Sequence, residues 1–398
     1  MNIGYYFHTY AVFGADGTAK TEAHWALFIR AVAAEAGSVT YYAHSGPGQG
    51  IENMELGPEW NVRCVDLGPR RRRPLMFLFP WIPLRNFKPK ADKLDAMIVR
   101  GPNALLAPIA KRSRRAGVPM VGLLVDELTS NWKGRAGMPA WRVKAVRVWL
   151  WVQSRAITRV GRRSLMLAIS KSIVRDPNFK RTAIVRTTSL SRADLTGPAG
   201  RTRKWPAPGE PIRLLFTGRV QKEKGLFELL DAVAALVGEG RNVELELAGP
   251  TYGDPTIDLL RARADELGIG GRVTYLGFLE AGPELLGAYL NADIFVSPTW
   301  GEGSVSRTIK EAFATGLPVV TTTVREIAEF LSDGAEAVLV PRQDAPALTA
   351  GIARMIDDPA LRERTTQAGF EWVQDFTNEA SAAVIVGHVR DEIARGVR

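Results

Sequence analysis

The chain is poor in the residues that build covalent and metal frameworks. Its 398 residues include one cysteine, Cys64, which leaves no internal disulfide open to it and suits a reducing compartment. Four histidines, His8, His24, His44 and His388, are scattered without ligand spacing, and beside a single thiol they exclude a structural zinc cluster. No uncharged apolar run approaches the roughly 18 residues that span a bilayer. The opening MNIGYYFHTY has neither a basic segment nor a long apolar core, so no signal peptide is expected. Acidic residues are absent from Leu128 to Arg175.

What is present is a soluble globular composition, 46% hydrophobic and 24% charged, long enough for two domains with a core each. The charge is uneven. Residues 1–199 hold 31 Lys and Arg against 13 Asp and Glu, leaving 21 against 29 beyond, so the net +10 divides into +18 and −8. Two halves of opposite sign meet different partners.

Short apolar runs at Ile3–Phe7, Val39–Ala43, Val62–Asp66, Ala96–Arg100, Met120–Val125, Ser164–Ser170 and Thr182–Thr188 read as strands, with helices at Thr21–Ala36 and Asn103–Arg115 between them. Thr9–Thr18, with Gly14 and Gly17, reads as a loop. After a Gly- and Pro-rich connection at Thr196–Pro211 the pattern restarts, with strands Arg213–Thr217, Val243–Ala248, Val273–Gly277 and Ile294–Ser297. Alternation of this length predicts an α/β fold of two Rossmann-like, doubly wound domains facing each other across a cleft. The expected division is 1–205, 206–375, and a last helix in 376–398 that crosses back to the first domain.

Two stretches carry the chemistry. Ala292–Thr322, ADIFVSPTWGEGSVSRTIKEAFATGLPVVTT, reads as strand, helix (Val305–Thr315) and strand. Such a crossover sets the helix N-terminus at the carboxyl edge of the sheet, where free N–H groups and the helix dipole favour an anion. Gly301, Glu302, Gly303 and Ser304 fall there; Ser304 can cap the helix, and Glu302 and Glu311 can accept hydrogen bonds from sugar hydroxyls. The plainer reading makes Glu311 a solvated helix residue and Gly303 a turn. In the second stretch, Leu214–Gly225 (LLFTGRVQKEKG), a strand runs into Gly218, with Arg219 and Lys224 on the same edge. Two cations there can neutralise a leaving diphosphate; alternatively they pair with Glu223 or Glu228 on the surface.

With the strand ending LELAGP, VTYLGFL and the closing AVLVPRQDAPAL, these stretches make the chain from Ile212 to Phe376 resemble the family-4 (group 1) glycosyltransferases, which have the two-domain GT-B fold. The resemblance implies an enzyme of the hexosyltransferase type, with a nucleotide-sugar as co-substrate and no cofactor. It implies that Gly218, Arg219 and Lys224 meet the diphosphate, that Glu302, Gly303, Ser304 and Val305 face donor sugar and phosphate, and that Glu311 binds the ribose. The turn after Leu276, with Phe278, would border the base. Gly14 and Gly17 stand where the family usually shows a glycine pair, and Asp126 and Glu127 end the strand where many relatives have a histidine followed by Asp, which makes Asp126 the local candidate for a polar side chain beside the transferred sugar. Glu302 and Glu311 are nine residues apart, where the family spaces eight. The Asp-x-Asp motif with which metal-dependent GT-A enzymes hold a cation is absent, so metal-independent transfer with retention is implied. An epimerase of the same fold and a non-catalytic sugar-binding relative stay open beside the transferase.

Within the acid-free stretch, basic residues interleave with tryptophan. On a helical wheel Lys144, Arg147, Arg155 and Arg159 share one side, while Ala145, Val146, Trp149, Leu150, Val152 and Ile157 occupy the other. With Trp141 and Trp151 this pattern suits an anionic membrane surface, as does Arg70–Arg73 followed by Met76, Phe77, Phe79 and Trp81. The plainer reading is tryptophans in the core and arginines in solvent; nucleic acid is not expected, because a nucleotide-sugar site gives it no role. The expected acceptor is therefore lipid-linked (a glycolipid or polyprenyl diphosphate) or a saccharide in cell-surface polysaccharide synthesis. The expected location is cytoplasmic, peripheral on the inner face of the cytoplasmic membrane.

Overall fold

A computed structural model of the chain describes residues 1–46, 53–70, 76, 78–125, 139–174, 177–186, 190–197, 205–251, 255–280, 282–301 and 305–396. The chain folds as two units, Met1–Ser189 with Thr377–Arg398, and Leu190–Phe376. Both are α/β with parallel sheets.

In the first unit the parallel strands are β1 (Asn2–Phe13), β3 (Ser38–Ser45), β5 (Val62–Pro69), β6 (Ala96–Gly101), β7 (Met120–Leu124), β8 (Leu165–Ala168) and β9 (Thr182–Ile184). They lie in the order β5-β3-β1-β6-β7-β8-β9. The order reverses between β1 and β6. The inner strands β3, β6, β7 and β8 are buried on both faces and read as near-continuous apolar runs. One face is covered by α1 (Ala23–Ala36) and the last helix (Asn378–Arg395), whose Ile385, Val386 and Val389 are buried beside Val32 and Ile98. The other is covered by α2 (Leu106–Arg115) and the C-terminal half of α3 (Ala140–Gly161), through Leu106, Ile109 and Ile157.

The first half of the expected loop at Thr9–Thr18 is strand. β1 continues to Phe13 and turns into β2 (Ala19–Glu22), pairing Val12 with Lys20 and Phe13 with Ala19, and β4 (Asn53–Leu56) adds an antiparallel third strand. Val12, Phe13 and Thr21 favour extended backbone, and the turn between them is closed by Gly14 N–H donating to Thr18 O at 3.0 Å.

The second unit is a wholly parallel sheet of β10 (Ile212–Thr217), β11 (Val243–Ala248), β12 (Val273–Gly277), β13 (Ile294–Ser297), β14 (Val319–Thr322) and β15 (Val338–Val340), ordered β12-β11-β10-β13-β14-β15. Residues expected in the first domain start it instead: Leu190 is buried in its core, and Leu195 and Trp205 pack on the same unit. Here the reversal falls between β10 and β13, where the connections diverge to opposite faces and leave a crevice at the carboxyl edge.

Candidate functional site

At that edge of the second sheet, three loops close on one another. Gly218, straight after β10, accepts the approach of Gly249, straight after β11: a Cβ on Gly249 would stand 1.8 Å from the Gly218 carbonyl oxygen. Gly225 likewise packs on Pro298, straight after β13, where a Cβ would meet the carbonyl oxygen at 1.9 Å. Both glycines have positive φ, 144° at Gly249 and 71° at Gly225. Val220 N–H donates to Pro250 O at 3.0 Å and Trp300 N–H to Glu223 O at 3.0 Å, tying the loops together. Glycine here serves close approach of backbones.

This weave holds the backbone that carries two cations. Arg219 is exposed in the loop after β10, and among the described residues it makes no ion pair. Lys224 is half-buried at the end of a single helical turn, Lys222–Lys224, that leads through Gly225 into helix α4 (Leu226–Gly238). Glu228, in the first turn of α4, accepts from Trp300 Nε1 at 3.1 Å through Oε1, which ties it to the loop after β13.

The helix after β13, Arg307–Ala314, is capped by Ser306, whose Oγ accepts from Ile309 N–H at 3.4 Å. The expected cap was Ser304. Glu311 sits on the inner side of this helix, 8% exposed. Its two carboxylate oxygens accept from Arg307 Nε at 2.6 Å and Tyr289 Oη at 2.8 Å, and Tyr289 Oη lies 2.6 Å from Thr217 Oγ1 at the end of β10. Burial and the neighbouring Glu311 charge push the Tyr289 phenol well up, so it stays protonated and donates. Glu311 is thereby held at the reversal of strand order. The adjacent Lys310 is buried with its ammonium 4.9 Å from the Phe376 ring, and burial pushes it down to about 8.

Of the other expected donor residues, Val305 is buried under this helix and Phe278 is 62% exposed just after β12. Gly14 lies in the hairpin turn of the first unit. Glu302, Gly303, Ser304 and Asp126 lie outside the described residues. The Arg307–Glu311 pair was legible as an i, i+4 spacing. Tyr289 and Thr217 had no such signal, because they reach Glu311 only through packing.

At the reversal of the first sheet, between β1 and β6, sequence reasoning missed Arg100. Its guanidinium lies 3.6 Å from the Trp25 ring and 4.7 Å from Phe7, a cation held by aromatic faces. On α3, Trp141, Val148 and Trp151 are 66%, 55% and 56% exposed, with Lys144, Arg147, Arg155 and Arg159 also outward. Arg155 lies 4.3 Å over Trp151. Ala145, expected on the inner side, is exposed, because the first half of α3 contributes no fully buried residue. No helix among the described residues is long and apolar enough to cross a membrane.

Residues 211–358, which contain β10 through the helix after β15, match the family model described as Glycosyl transferases group 1. The chain is 33% identical over 184 residues to a D-inositol 3-phosphate glycosyltransferase of Corynebacterium glutamicum, covering 45% of this chain and 43% of that protein. It is 31% identical over 237 residues to a phosphatidyl-myo-inositol mannosyltransferase of Mycobacterium leprae, covering 58% and 57%. The chain thus spans about half the length of the curated relatives it matches. In fold, it is similar to a sucrose-phosphate synthase from Thermosynechococcus elongatus, with a TM-score of 0.67 at 18% identity over 99% of both chains. An Anabaena protein solved in complex with UDP-glucose has a TM-score of 0.62 at 17% identity, over 99% of this chain and 100% of that one. In sequence over most of its second unit, and in two-domain GT-B fold over nearly its whole length, what the chain is similar to are glycosyltransferases.

Proposed function

We propose that the chain is a glycosyltransferase of the hexosyltransferase type, which moves a sugar from a nucleotide-sugar to a lipid-linked or saccharide acceptor. One observation carries this: the β10/β13 reversal in the segment similar to group 1 glycosyl transferases brings Arg219 and Lys224, on the loop after β10, to the edge where Glu311 is clamped by Arg307 and Tyr289. A diphosphate at that edge meets two cations, and ribose hydroxyls can donate to the remaining lone pairs of Glu311.

Arg219 and Lys224 stabilise the charge that develops on the leaving diphosphate, a contribution of roughly 3–4 kcal/mol for one well-placed donor. With no Asp-x-Asp in the sequence, these side chains take that charge without a metal. The resemblance assigns Glu302, Gly303 and Ser304 to the donor sugar and Asp126 to the transferred ring, and implies transfer with retention by front-side attack within an ion pair. The first unit takes the acceptor, with Arg100 presenting a fixed cation to its phosphate or acidic sugar. The outward Trp141, Trp151, Lys144, Arg147 and Arg155 rest on an anionic membrane surface, at about 1 kcal/mol per cation that reaches it, which places the protein on the inner face of the cytoplasmic membrane.

The test is a thermal-shift screen against nucleotide-sugars with and without EDTA, followed by product analysis with and without acceptor. The Anabaena neighbour solved with UDP-glucose puts uridine diphosphate sugars first. One base should raise the melting temperature, undisturbed by chelator. Glu311→Gln should weaken that response roughly tenfold in ligand concentration, the loss of about one charge-assisted contact. An epimerised nucleotide-sugar formed without acceptor would replace the proposal with the epimerase reading.

A further inference from the structure

We propose that a cavity at the amino edge of the first unit's sheet is a binding site for a phosphate-bearing anion, distinct from the nucleotide-sugar edge. The cavity, about 1000 Å³, lies among the C-terminal ends of α2, α3 and the last helix and the starts of β7 and β8. Ligand sites of open α/β sheets belong to the carboxyl edge, so the fold alone does not account for a charged cavity here.

Its walls are cationic from several elements at once. α2 supplies Lys111 and Arg114; the end of α3 and the turn after it supply Arg159, Arg162 and Arg163; Arg181 precedes β9 and Arg395 closes the last helix. Against these cations the lining has, among the described residues, one carboxylate, Glu392. That carboxylate is already taken: Arg181 Nη1 donates to both its oxygens at 2.7 and 2.6 Å, and Arg395 Nη1 to one at 3.3 Å. Arg162 donates to Asn178 Oδ1 at 2.8 Å. Lys111, Arg114, Arg159 and Arg163 make no ion pair with any described residue.

The C-terminal ends of three helices, each equivalent to about −0.5 charge, offset part of this, and seven cations against one carboxylate leave the concavity positive. Much of the remaining lining is small, with Ala107, Ala110, Ala156 and Val160 leaving the space open. Exposed arginines on several walls present planar donor forks, which match phosphate oxygens two at a time. The volume exceeds that of a single phosphate and is in the range of small-molecule sites, so the occupant is a phosphate on a larger group. A soluble phosphorylated molecule and a phospholipid headgroup share that chemistry.

The experiment uses the full chain, with Lys111→Ala/Arg114→Ala on one wall and Arg163→Ala on the other. Inorganic pyrophosphate is titrated calorimetrically at low salt, and vesicles of phosphatidylcholine mixed with phosphatidylglycerol are tested by co-sedimentation. Wild type should bind pyrophosphate, and each variant should bind it roughly tenfold or more weakly, with melting temperature and nucleotide-sugar response unchanged. Loss confined to pyrophosphate assigns a soluble ligand; loss confined to vesicles assigns a lipid headgroup. If wild type binds neither probe, or both variants bind both probes as wild type does, the proposal is wrong.

Discussion

Single side chains in the first unit already set a pH response. Arg70 Nε can only donate, so His8 Nε2, 3.0 Å away, accepts and carries its proton on Nδ1. His8 Nδ1 then donates to Tyr6 Oη at 3.0 Å, Tyr6 donates to His44 Nε2 at 3.1 Å, and His44 Nδ1 donates to Gly68 O at 3.2 Å. Each ring is neutral in this order. Burial pushes the His44 imidazole from 6.5 down to about 4. Because the unfolded chain binds the proton more tightly over that window, the stability contributed is complete above about pH 6.5 and is lost as pH falls towards 4, by roughly 3 kcal/mol. His44→Gln should flatten that acid limb in urea unfolding between pH 7 and pH 4; an unchanged slope would refute the assignment. Cys64, the lone thiol, is held unreactive by burial, which pushes it up to about 12.

At the scale of elements, the loops of the second unit depend on glycines that side chains cannot replace. Gly225→Ala puts a methyl against Pro298 O in a left-handed backbone, so it should destabilise the second unit by about 2 kcal/mol or more and weaken nucleotide-sugar binding with it. Denaturant unfolding checks the first and thermal shift the second. The outward half of α3 predicts the opposite combination. Trp141→Ala/Trp151→Ala removes exposed rings, so stability should hold within about 0.5 kcal/mol while co-sedimentation with anionic vesicles falls. Most strands and helices were legible, because buried parallel strands and amphipathic helices leave different apolar periods. The hairpin at Phe13–Ala19 was not: Gly14 and Gly17 signal a turn without saying whether strands or a ligand flank it. Ser306 was passed over for Ser304, two residues earlier, because the residue type alone does not mark which serine adopts the extended cap conformation.

For the whole molecule, the chain's last helix is part of its first unit. Ile385, Val386 and Val389 are fully buried there, and Glu392 takes Arg181. Removing residues after Phe376 would take those three side chains away and uncover the apolar surface around Val32 and Ile98 on which they pack, at roughly 6 kcal/mol together, a large share of an ordinary domain's stability. A chain ending at Phe376 should therefore lose hydrogen-exchange protection across β1, β3 and β6 and keep it across β10, β11 and β13. Equal loss in both units would show that they fold as one.

The sequence by itself determined the two α/β units, the basic and acidic halves, and the stretches around Arg219, Lys224 and Glu311, because periodicity, charge and glycine placement are properties of neighbours along the chain. Tertiary structure alone decided that Tyr289 and Thr217 hold Glu311, that Arg100 lies between Trp25 and Phe7, and that cations distant in sequence share one cavity. Those contacts arise only where strand order and helix packing bring remote residues together, and no local pattern encodes them.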